Sequence, residues 1–449
     1  MTPAEEARRL DAADPLAAFR ERFLLPDGVI YLDGNSLGAL PLATAARLNE
    51  VVRREWGEGL IRSWNGAPDL NGERAPGWVD LPQRVGAKIA PLIGAQPHEV
   101  IACDSTSVNI FKLISAALAM QSGAQGHRRK VILSEPGNFP TDLYMIAGLE
   151  AQGLAQRRLA PADQLADALD ADVALLLLTH VHYRTGAMHD MAELTRMAHR
   201  AGALVLWDLS HSTGAVELDL GHCGADFAVG CGYKYLNGGP GAPAFAFVAE
   251  RHHARLAQPL TGWFGHARPF AFEDDYSPAA GVARLLAGTP PILGLAALEV
   301  GVDLVAEIGV ARLAAKSRAL SEFFLRCLQG SGDLPEAAPA PASCLSGTAE
   351  GAPVGCSAAR HELHCVSPVD PARRGSQLSF RHENAYAVTQ ALIARGVIGD
   401  FREPDVLRLG FSPAYLRFRD VADAARHLAE VLRSGEWRQP RFATRAQVT

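Results

Sequence analysis

The chain has 449 residues, of which 48% are hydrophobic and 20% are charged. This length predicts two or three domains, and this composition is typical of globular proteins. The formal net charge of −6 argues against a general nucleic-acid or anionic-membrane binder, because such proteins need basic surfaces. The seven cysteines are widely spaced and form no C-x-x-C pair, which disfavours a disulfide scaffold or a zinc ribbon.

The first residues, MTPAEEARRLDAADPL, include several acids and no apolar core, so they do not predict a secretory signal. No apolar run approaches the length of about 18 residues that would predict a membrane span. We therefore expect a cytoplasmic protein that binds neither nucleic acid nor membrane.

Three regions follow one another along the chain. Residues 1–45 are predicted to pack with a C-terminal domain, residues 46–290 to form a large α/β domain, and residues 291–449 to form a smaller α+β domain with a loop-like insertion at 333–365. The strand-like runs of the large domain are VILSE (131–135), VALLLLTHV (173–181), ALVLWDLS (203–210) and DFAVGCG (226–232). Continuous apolar strands separated by helical patterns predict a mainly parallel sheet sandwiched by helices.

Lysine is rare in this chain. Of the 43 basic residues only five are lysine: Lys88, Lys112, Lys130, Lys234 and Lys316. An amine can lose its proton, whereas a guanidinium cannot, so a lysine in an arginine-rich chain suggests a chemical role. Lys234 follows an apolar strand, where burial would lower its pKa and free the amine for Schiff-base chemistry; the alternative is a side chain that reaches to solvent. The other four lie in helical or basic segments that predict solvated charges.

Three further features point to a cofactor. Asp208 ends a buried strand, where an acid can keep a pyridine nitrogen protonated. The hydroxyls of residues 105–107 open a helix, which suits a phosphate, although a plain N-cap is the alternative. Phe139 follows a strand and can stack on a flat ring, or belong to the core. Since ligands of such sheets bind beyond the carboxyl ends of the strands, the combination predicts a pyridoxal phosphate site.

Other motifs are weaker. GNSLG (34–38) fits the hydrolase pattern G-x-S-x-G, but only about thirty residues precede it, too few to build the sheet that carries such a serine. His180 and His182 share a strand face without a third ligand fixed by the sequence, so no metal is expected. The chain has neither a Walker A motif nor a G-x-G-x-x-G between a strand and a helix, which disfavours a dinucleotide oxidoreductase.

From residue 31 to about residue 420 the chain resembles the kynureninases, a family of fold-type-I pyridoxal-phosphate enzymes. The motifs that carry the resemblance include YLDGNSLGALP (31–41), IRSWN (61–65), DSTSVN (104–109), NFPTD (138–142), HVHYRTG (180–186), LWDLSHSTGAVELDL (206–220), GYKYLNGGPG (232–241), GWFGH (262–266) and RRGSQLSFRH (373–382). The resemblance implies hydrolytic Cβ–Cγ cleavage of L-kynurenine to anthranilate and L-alanine, a step of tryptophan catabolism.

The resemblance also implies roles for individual residues. Lys234 would form the Schiff base with pyridoxal 5'-phosphate, Asp208 would hold the pyridine nitrogen, and Tyr233 would donate a proton. The implied cofactor-binding residues are Ser105, Thr106, Phe139, Thr141, Asp142, Thr179, Asp208, His211, Tyr233, Lys234, Trp263 and Thr289. The last two, Trp263 and Thr289, resemble positions that reach the phosphate across an interface, which implies a homodimer.

For the substrate, Arg408 resembles the arginine that takes the α-carboxylate, a role suited to its bidentate fork. Asn35, Ser36 and Trp64 would line the aryl pocket. Trp64 stands where animal relatives have a histidine, which favours kynurenine over its 3-hydroxy form.

Two alternatives stay open within the same fold. A cysteine desulfurase or selenocysteine lyase would use a nucleophilic cysteine such as Cys344 or Cys356, but the surroundings of both lack the expected context. A non-catalytic protein that binds the cofactor would have no need of Arg408.

Overall fold

The computed structural model describes residues 1–66, 76–122, 129–330 and 363–445. No helix within these ranges is both long and apolar enough to cross a membrane. Cys344 and Cys356, and most of the insertion predicted at 333–365, lie outside the described residues.

The helices alternate with strands through most of the chain. The helices are α1 (Pro3–Ala12), α2 (Leu42–Glu50), α3 (Leu81–Ile89), α4 (Thr106–Met120), α5 (Pro140–Ala151), α6 (Leu165–Ala168), α7 (Met191–Arg200), α8 (Leu220–Cys223), α9 (Ile292–Ile308), α10 (Val310–Gly330), α11 (Ala385–Ala394), α12 (Phe418–Ser434) and α13 (Pro440–Ala443). The strands are β1 (Phe23–Leu24), β2 (Ile30–Tyr31), β3 (Leu40–Pro41), β4 (Val100–Ala102), β5 (Val131–Ser134), β6 (Gln156–Leu159), β7 (Val173–Thr179), β8 (Leu204–Asp208), β9 (Phe227–Gly230), β10 (Phe245–Val248), β11 (His364–Cys365), β12 (Gln377–Arg381), β13 (Val397–Ile398), β14 (Asp400–Arg402) and β15 (Val406–Gly410).

A seven-stranded sheet forms the centre of the molecule, in the order β4-β10-β9-β8-β7-β5-β6. Neighbouring strands from β9 to β6 are parallel, and β10 is antiparallel to both of its neighbours. All residues of β5, β7 and β9 are buried, because helices cover both faces of the sheet. The prediction of an α/β fold with a mainly parallel sheet is therefore confirmed.

A second, antiparallel sheet lies in the C-terminal part, in the order β11-β12-β15-β14. The N-terminal segment attaches to this part: β2 pairs in parallel with β13, Asp33 bridges to Gly410, and the backbone N–H of Phe418 donates to Asp11 over 2.6 Å. These contacts carry Asn35 and Ser36 to the second sheet. The division of the chain at residues 45 and 290 stays a prediction.

Two lysines that were predicted to be solvated are buried, so that prediction is wrong for them. The Lys112 side chain is 0% exposed and pairs with Asp104 over 2.6 Å, and the Lys316 side chain is 7% exposed and pairs with Asp14 over 2.7 Å. Helical periodicity shows which face a residue occupies but does not show which acid lies opposite it.

Helix α3 packs so closely on β4 that Gly86 has no room for a side chain. A Cβ at this position would lie 2.3 Å from the carbonyl oxygen of Val100 and 2.7 Å from the Cα of Ile101. Both atoms belong to the backbone of a buried strand, so neither can give way without moving the sheet.

We expect Gly86→Ala to lower the free energy of unfolding by about 1–3 kcal/mol, the usual cost of overpacking. Gly148 in α5 is the matched control, because a Cβ there meets nothing within 4 Å, and Gly148→Ala should stabilise the chain by about 0.4–1 kcal/mol. Urea denaturation of the three proteins measures both changes, and equal midpoints for the two variants would contradict this account of the packing.

Candidate active site

The carboxyl ends of the parallel strands bring the chemically active side chains together. Thr179 ends β7, Asp208 ends β8, and Lys234 lies four residues after the end of β9. Phe139 is the N-cap of α5, and Ser105 is the N-cap of α4, where its hydroxyl accepts the backbone N–H of Val108. Parallel strands end at one edge of a sheet, which explains why residues far apart in sequence meet.

The amine of Lys234 is buried in this region. Its Nζ lies 2.9 Å from Nε2 of His211 and approaches the rings of Phe139 and Tyr233, with 5.8 and 5.9 Å to the ring centroids. Burial is the main cause that lowers the pKa of Lys234; the charge of Asp208 opposes the shift, and that of Arg408 adds to it. A larger fraction of the amine is therefore uncharged than in a solvated lysine, which suits a nucleophile or a base.

Two carboxyl groups stand close to that amine. Burial raises the pKa of Asp208, while the backbone N–H of Ser210, which donates to its Oδ1 over 2.8 Å, and the charge of Lys234 oppose the rise. Burial and the nearby Asp208 raise the pKa of Asp142 well above its usual value. Its Oδ2 accepts hydrogen bonds from Thr179 and Asn138, both over 3.2 Å. The carboxyl groups of Asp208 and Asp142 can therefore provide a negative charge beside a cationic group of a ligand.

A cavity of about 600 Å³ surrounds these groups. Ten of the residues predicted to bind the cofactor line it: Ser105, Thr106, Phe139, Thr141, Asp142, Thr179, Asp208, His211, Tyr233 and Lys234. Oδ1 of Asp142 and Nδ1 of His211 are buried in the described structure without a hydrogen-bond partner. Free polar atoms beside a buried amine, with hydroxyls and a helix N-terminus in the same wall, fit a flat, polar and phosphorylated cofactor.

A second cluster of charges lies next to this cavity, and we call it the arginine cluster: Asp33, Ser36, Asp400, Arg402 and Arg408. Asp400 accepts Nε of Arg408 over 2.8 Å and Nη2 of Arg402 over 2.6 Å. The hydroxyl of Ser36 donates to Asp400 over 2.7 Å and accepts Nη2 of Arg408 over 2.7 Å. One carboxylate and one hydroxyl therefore hold both guanidinium groups.

Tyr183 connects the arginine cluster to the cavity. Its ring packs edge-on against Phe139 with centroids 5.2 Å apart, and its carbonyl accepts Nη1 of Arg408 over 2.7 Å. The charges of Arg408 and Arg402 also lower the pKa values of Lys234 and His211, after burial as the main cause. Both arginines are thus within electrostatic reach of the buried amine.

The two arginines differ in availability. The side chain of Arg408 is 1% exposed, whereas that of Arg402 is 36% exposed. Nε of Arg402 is buried without a hydrogen-bond partner in the described structure. Asp33, Asp400, Arg402 and Tyr183 were not singled out from the sequence. Asp33 and Tyr183 lie in motifs that carry the resemblance, but only the tertiary contacts bring the four residues together.

Other predicted residues lie outside the cavity. Asn35 is buried against β15, where a Cβ on Gly410 would overlap its Oδ1, and Trp64 packs against Trp78 and Phe264. Trp263 and Thr289 are exposed and do not line the cavity of their own chain.

His180 and His182 were predicted to share a strand face, but β7 ends at Thr179 and both residues follow it. Both rings are engaged by protein atoms. His180 Nδ1 lies 2.9 Å from the Ser212 hydroxyl, and His182 Nε2 lies 2.9 Å from the carbonyl of Gly137. Among the described residues no group of three or more histidine, cysteine or acidic side chains is arranged to hold a metal ion.

Solved structures share this fold. A cysteine desulfurase from Thermococcus onnurineus superposes with a TM-score of 0.72 at 17% identity, covering 93% of this chain and 98% of that one. The cysteine desulfurase CsdA from Escherichia coli gives 0.72 at 18% identity with the same coverage. The sequence model of the class-V aminotransferase family matches residues 43–351 of this chain. The architecture is that of the fold-type-I pyridoxal-phosphate enzymes.

The sequence comparisons identify one family among the fold-type-I enzymes. The model of the kynureninase C-terminal domain matches residues 353–428. Kynureninase from Pseudomonas fluorescens is 47% identical over 452 residues, and kynureninase from Burkholderia mallei is 49% identical over 453 residues, each alignment covering 100% of both chains. The chain belongs to the kynureninase family.

Proposed function

We propose that this chain hydrolyses L-kynurenine to anthranilate and L-alanine, with pyridoxal 5'-phosphate bound in the cavity of about 600 Å³. The observation that carries the proposal is the buried amine of Lys234, which lies beside Asp208 and within electrostatic reach of the arginine cluster. Full-length similarity to kynureninases supports the choice of substrate.

The lining of the cavity supplies a partner for each part of the cofactor. Lys234 would attach its aldehyde, Asp208 would hold a proton on the pyridine nitrogen, and Phe139 would stack on the ring. Ser105, Thr106 and the first amides of α4 would bind the phosphate. When bound, pyridoxal phosphate supplies an electron sink for carbanions at Cα and Cβ of an amino acid.

Two residues of this chain would move protons. The uncharged amine of Lys234 would take the proton from Cα of the substrate, a role favoured by its lowered pKa. Tyr233 would donate a proton to Cβ after the Cβ–Cγ bond breaks. Its phenol is protonated at neutral pH, which is the form that a proton donor needs. Burial raises the pKa of Tyr233 and weakens it as an acid, so the role requires surrounding positive charge that favours loss of the proton.

The arginine cluster would bind the substrate carboxylate. Two guanidinium groups face the carboxyl groups of Asp400 and Asp33, so the net charge depends on Asp33. Burial and the neighbouring Asp400 raise the pKa of Asp33 to about 7. Below that pH the cluster carries an excess positive charge, which attracts an anion. The half-buried Arg402 and the buried Arg408 would bind that anion together.

Turnover tests the proposal directly. Purified protein saturated with pyridoxal phosphate should convert L-kynurenine to fluorescent anthranilate. Lys234→Ala should lower kcat at least about a thousand-fold and Tyr233→Phe about a hundred-fold, since general acids and bases contribute factors of this size. A Tyr233→Phe enzyme with full kcat would remove Tyr233 from its role.

Covalent labelling provides the control for the lysine. Borohydride reduction of the loaded protein should fix the cofactor on the peptide that contains Lys234 and not on peptides with the other four lysines. A yellow, cofactor-loaded protein without anthranilate formation would contradict the substrate, and cysteine would be tried next.

Asp33 predicts a pH dependence. Its carboxyl is neutral below about pH 7 and ionised above, and the ionised form weakens binding of a carboxylate. We expect kcat/KM to fall roughly tenfold as pH rises through this range, because one added charge nearby costs about 1–2 kcal/mol. In Asp33→Asn this alkaline limb should disappear; an unchanged profile would contradict the assignment.

We also propose a homodimer whose interface includes the exposed aromatic group around Trp263. Phe270 and Phe272 lie against Trp263 with centroids 5.7 and 6.4 Å apart, and all three are exposed. An exposed cluster of large apolar rings is typical of an interaction surface.

Sedimentation equilibrium should give twice the mass of one chain for the unaltered protein. The double variant Trp263→Ser with Phe272→Ser should shift the equilibrium toward monomer. A single-chain mass for the unaltered protein would contradict the dimer.

A further inference from the structure

Beneath the proposed phosphate site lies the buried ion pair of Asp104 and Lys112. The ammonium of Lys112 lies 2.6 Å from Oδ2 of Asp104 and also donates to the carbonyl of Leu285. The Lys112 side chain is 0% exposed, whereas that of Asp104 is 30% exposed and lines the cofactor cavity. The pair therefore runs from the interior of the domain to the wall of the site.

Asp104 has an unusual backbone conformation. Its φ is +48°, in the left-handed region that residues other than glycine rarely adopt. Its carbonyl accepts the N–H of Ala244 over 2.9 Å, and its side chain is held by Lys112. Because the residue is fixed from both ends, its strained conformation is maintained by the surrounding contacts.

This conformation determines where helix α4 begins. Asp104 immediately precedes the N-cap Ser105, and Thr106 and Ser107 follow at the cavity wall. Amides at a helix N-terminus bind an anion only if the first turn points at it. A different φ at Asp104 would turn these groups away from the cavity.

We propose that Lys112 is a positioning residue for the cofactor phosphate, acting through the backbone of Asp104. The inference rests on the proposed cofactor site but not on the choice of kynurenine as substrate. Its bond to Leu285 ties the same lysine to the segment that leads to Thr289, the residue predicted to reach the partner's phosphate. One buried ammonium thereby holds two parts of the phosphate-binding structure.

The affinity of the apo-protein for pyridoxal phosphate tests the proposal. We expect Lys112→Met to raise the Kd roughly tenfold, because the strained residue is then free to relax. At saturating cofactor, kcat should stay within about twofold of the unaltered protein, since no catalytic group has changed. Absorbance of the bound cofactor gives the Kd without any turnover.

Lys316→Met is the matched control, because Lys316 is also a buried helical lysine paired with an aspartate. Neither Lys316 nor its partner Asp14 lines the cofactor cavity. Thermal melting of both apo-variants should show a loss of stability, but only Lys112→Met should lose affinity. An unchanged Kd in Lys112→Met, or an equal change in both variants, would overturn the proposal.

A double variant covers the case in which Lys112→Met fails to fold, because it also removes the carboxylate that the single variant leaves without its partner. Asp104→Gly with Lys112→Met should regain most of the lost affinity, since glycine adopts positive φ without a penalty. Failure of this rescue would refute the backbone explanation.

Pyridoxal without its phosphate is the second probe. Lys112→Met should leave its affinity unchanged, and a loss equal to that of the phosphorylated form would overturn the role at the phosphate. An unaltered protein that binds pyridoxal phosphate but does not cleave kynurenine would refute the proposed function alone.

Discussion

The burial of the Lys234 amine at the carboxyl edge of the parallel sheet is the constraint on which the site depends. Removing a charged ammonium from water is costly unless a counter-ion lies beside it. Among the described residues Lys234 forms no ion pair within 4 Å, and its hydrogen-bond partner is a histidine. The lowered pKa follows from that arrangement. Asp208 stands near enough to limit the shift, and the two aromatic rings cover the amine. The lowered pKa of the Lys234 amine thus comes mainly from its removal from water, because the strands that end at the cavity are buried on both faces.

The arginine cluster adds a second electrostatic centre, built from parts of the chain that are distant in sequence. Asp400 and Arg408 come from the C-terminal sheet, whereas Ser36 comes from the N-terminal segment. Asp400 holds two guanidinium groups, so neither is an isolated buried charge. Both guanidinium groups lie within electrostatic reach of the buried amine and lower the pKa of Lys234 further, after burial as the main cause. The attachment of β2 to β13 brings Ser36 to this cluster.

The two buried lysine–aspartate pairs show how similar interactions serve different ends. The pair of Lys316 and Asp14 joins α10 to the N-terminal segment, and neither residue lines the cavity around Lys234. The pair of Lys112 and Asp104 borders the cavity and fixes a strained residue at a helix N-terminus. Both are ion pairs of a buried lysine with an aspartate, and they differ in their position relative to the cavity.

The sequence by itself determined the mainly parallel sheet and which side chains follow the ends of its strands. Continuous apolar runs between helical patterns favour strands buried on both faces, and residues at or just after the ends of such strands lie at one edge of the sheet. The meeting of Lys234, Asp208 and Phe139 was therefore predictable. Rare motifs then identified the family. Tertiary structure decided the rest. The burial of Lys112, the position of Asp33 beside Asp400, and the link through Tyr183 depend on contacts between segments whose spacing carries no signal. Local sequence patterns indicate the face of a helix or strand on which a residue lies. Which side chain becomes its partner depends on how the elements pack in the tertiary structure.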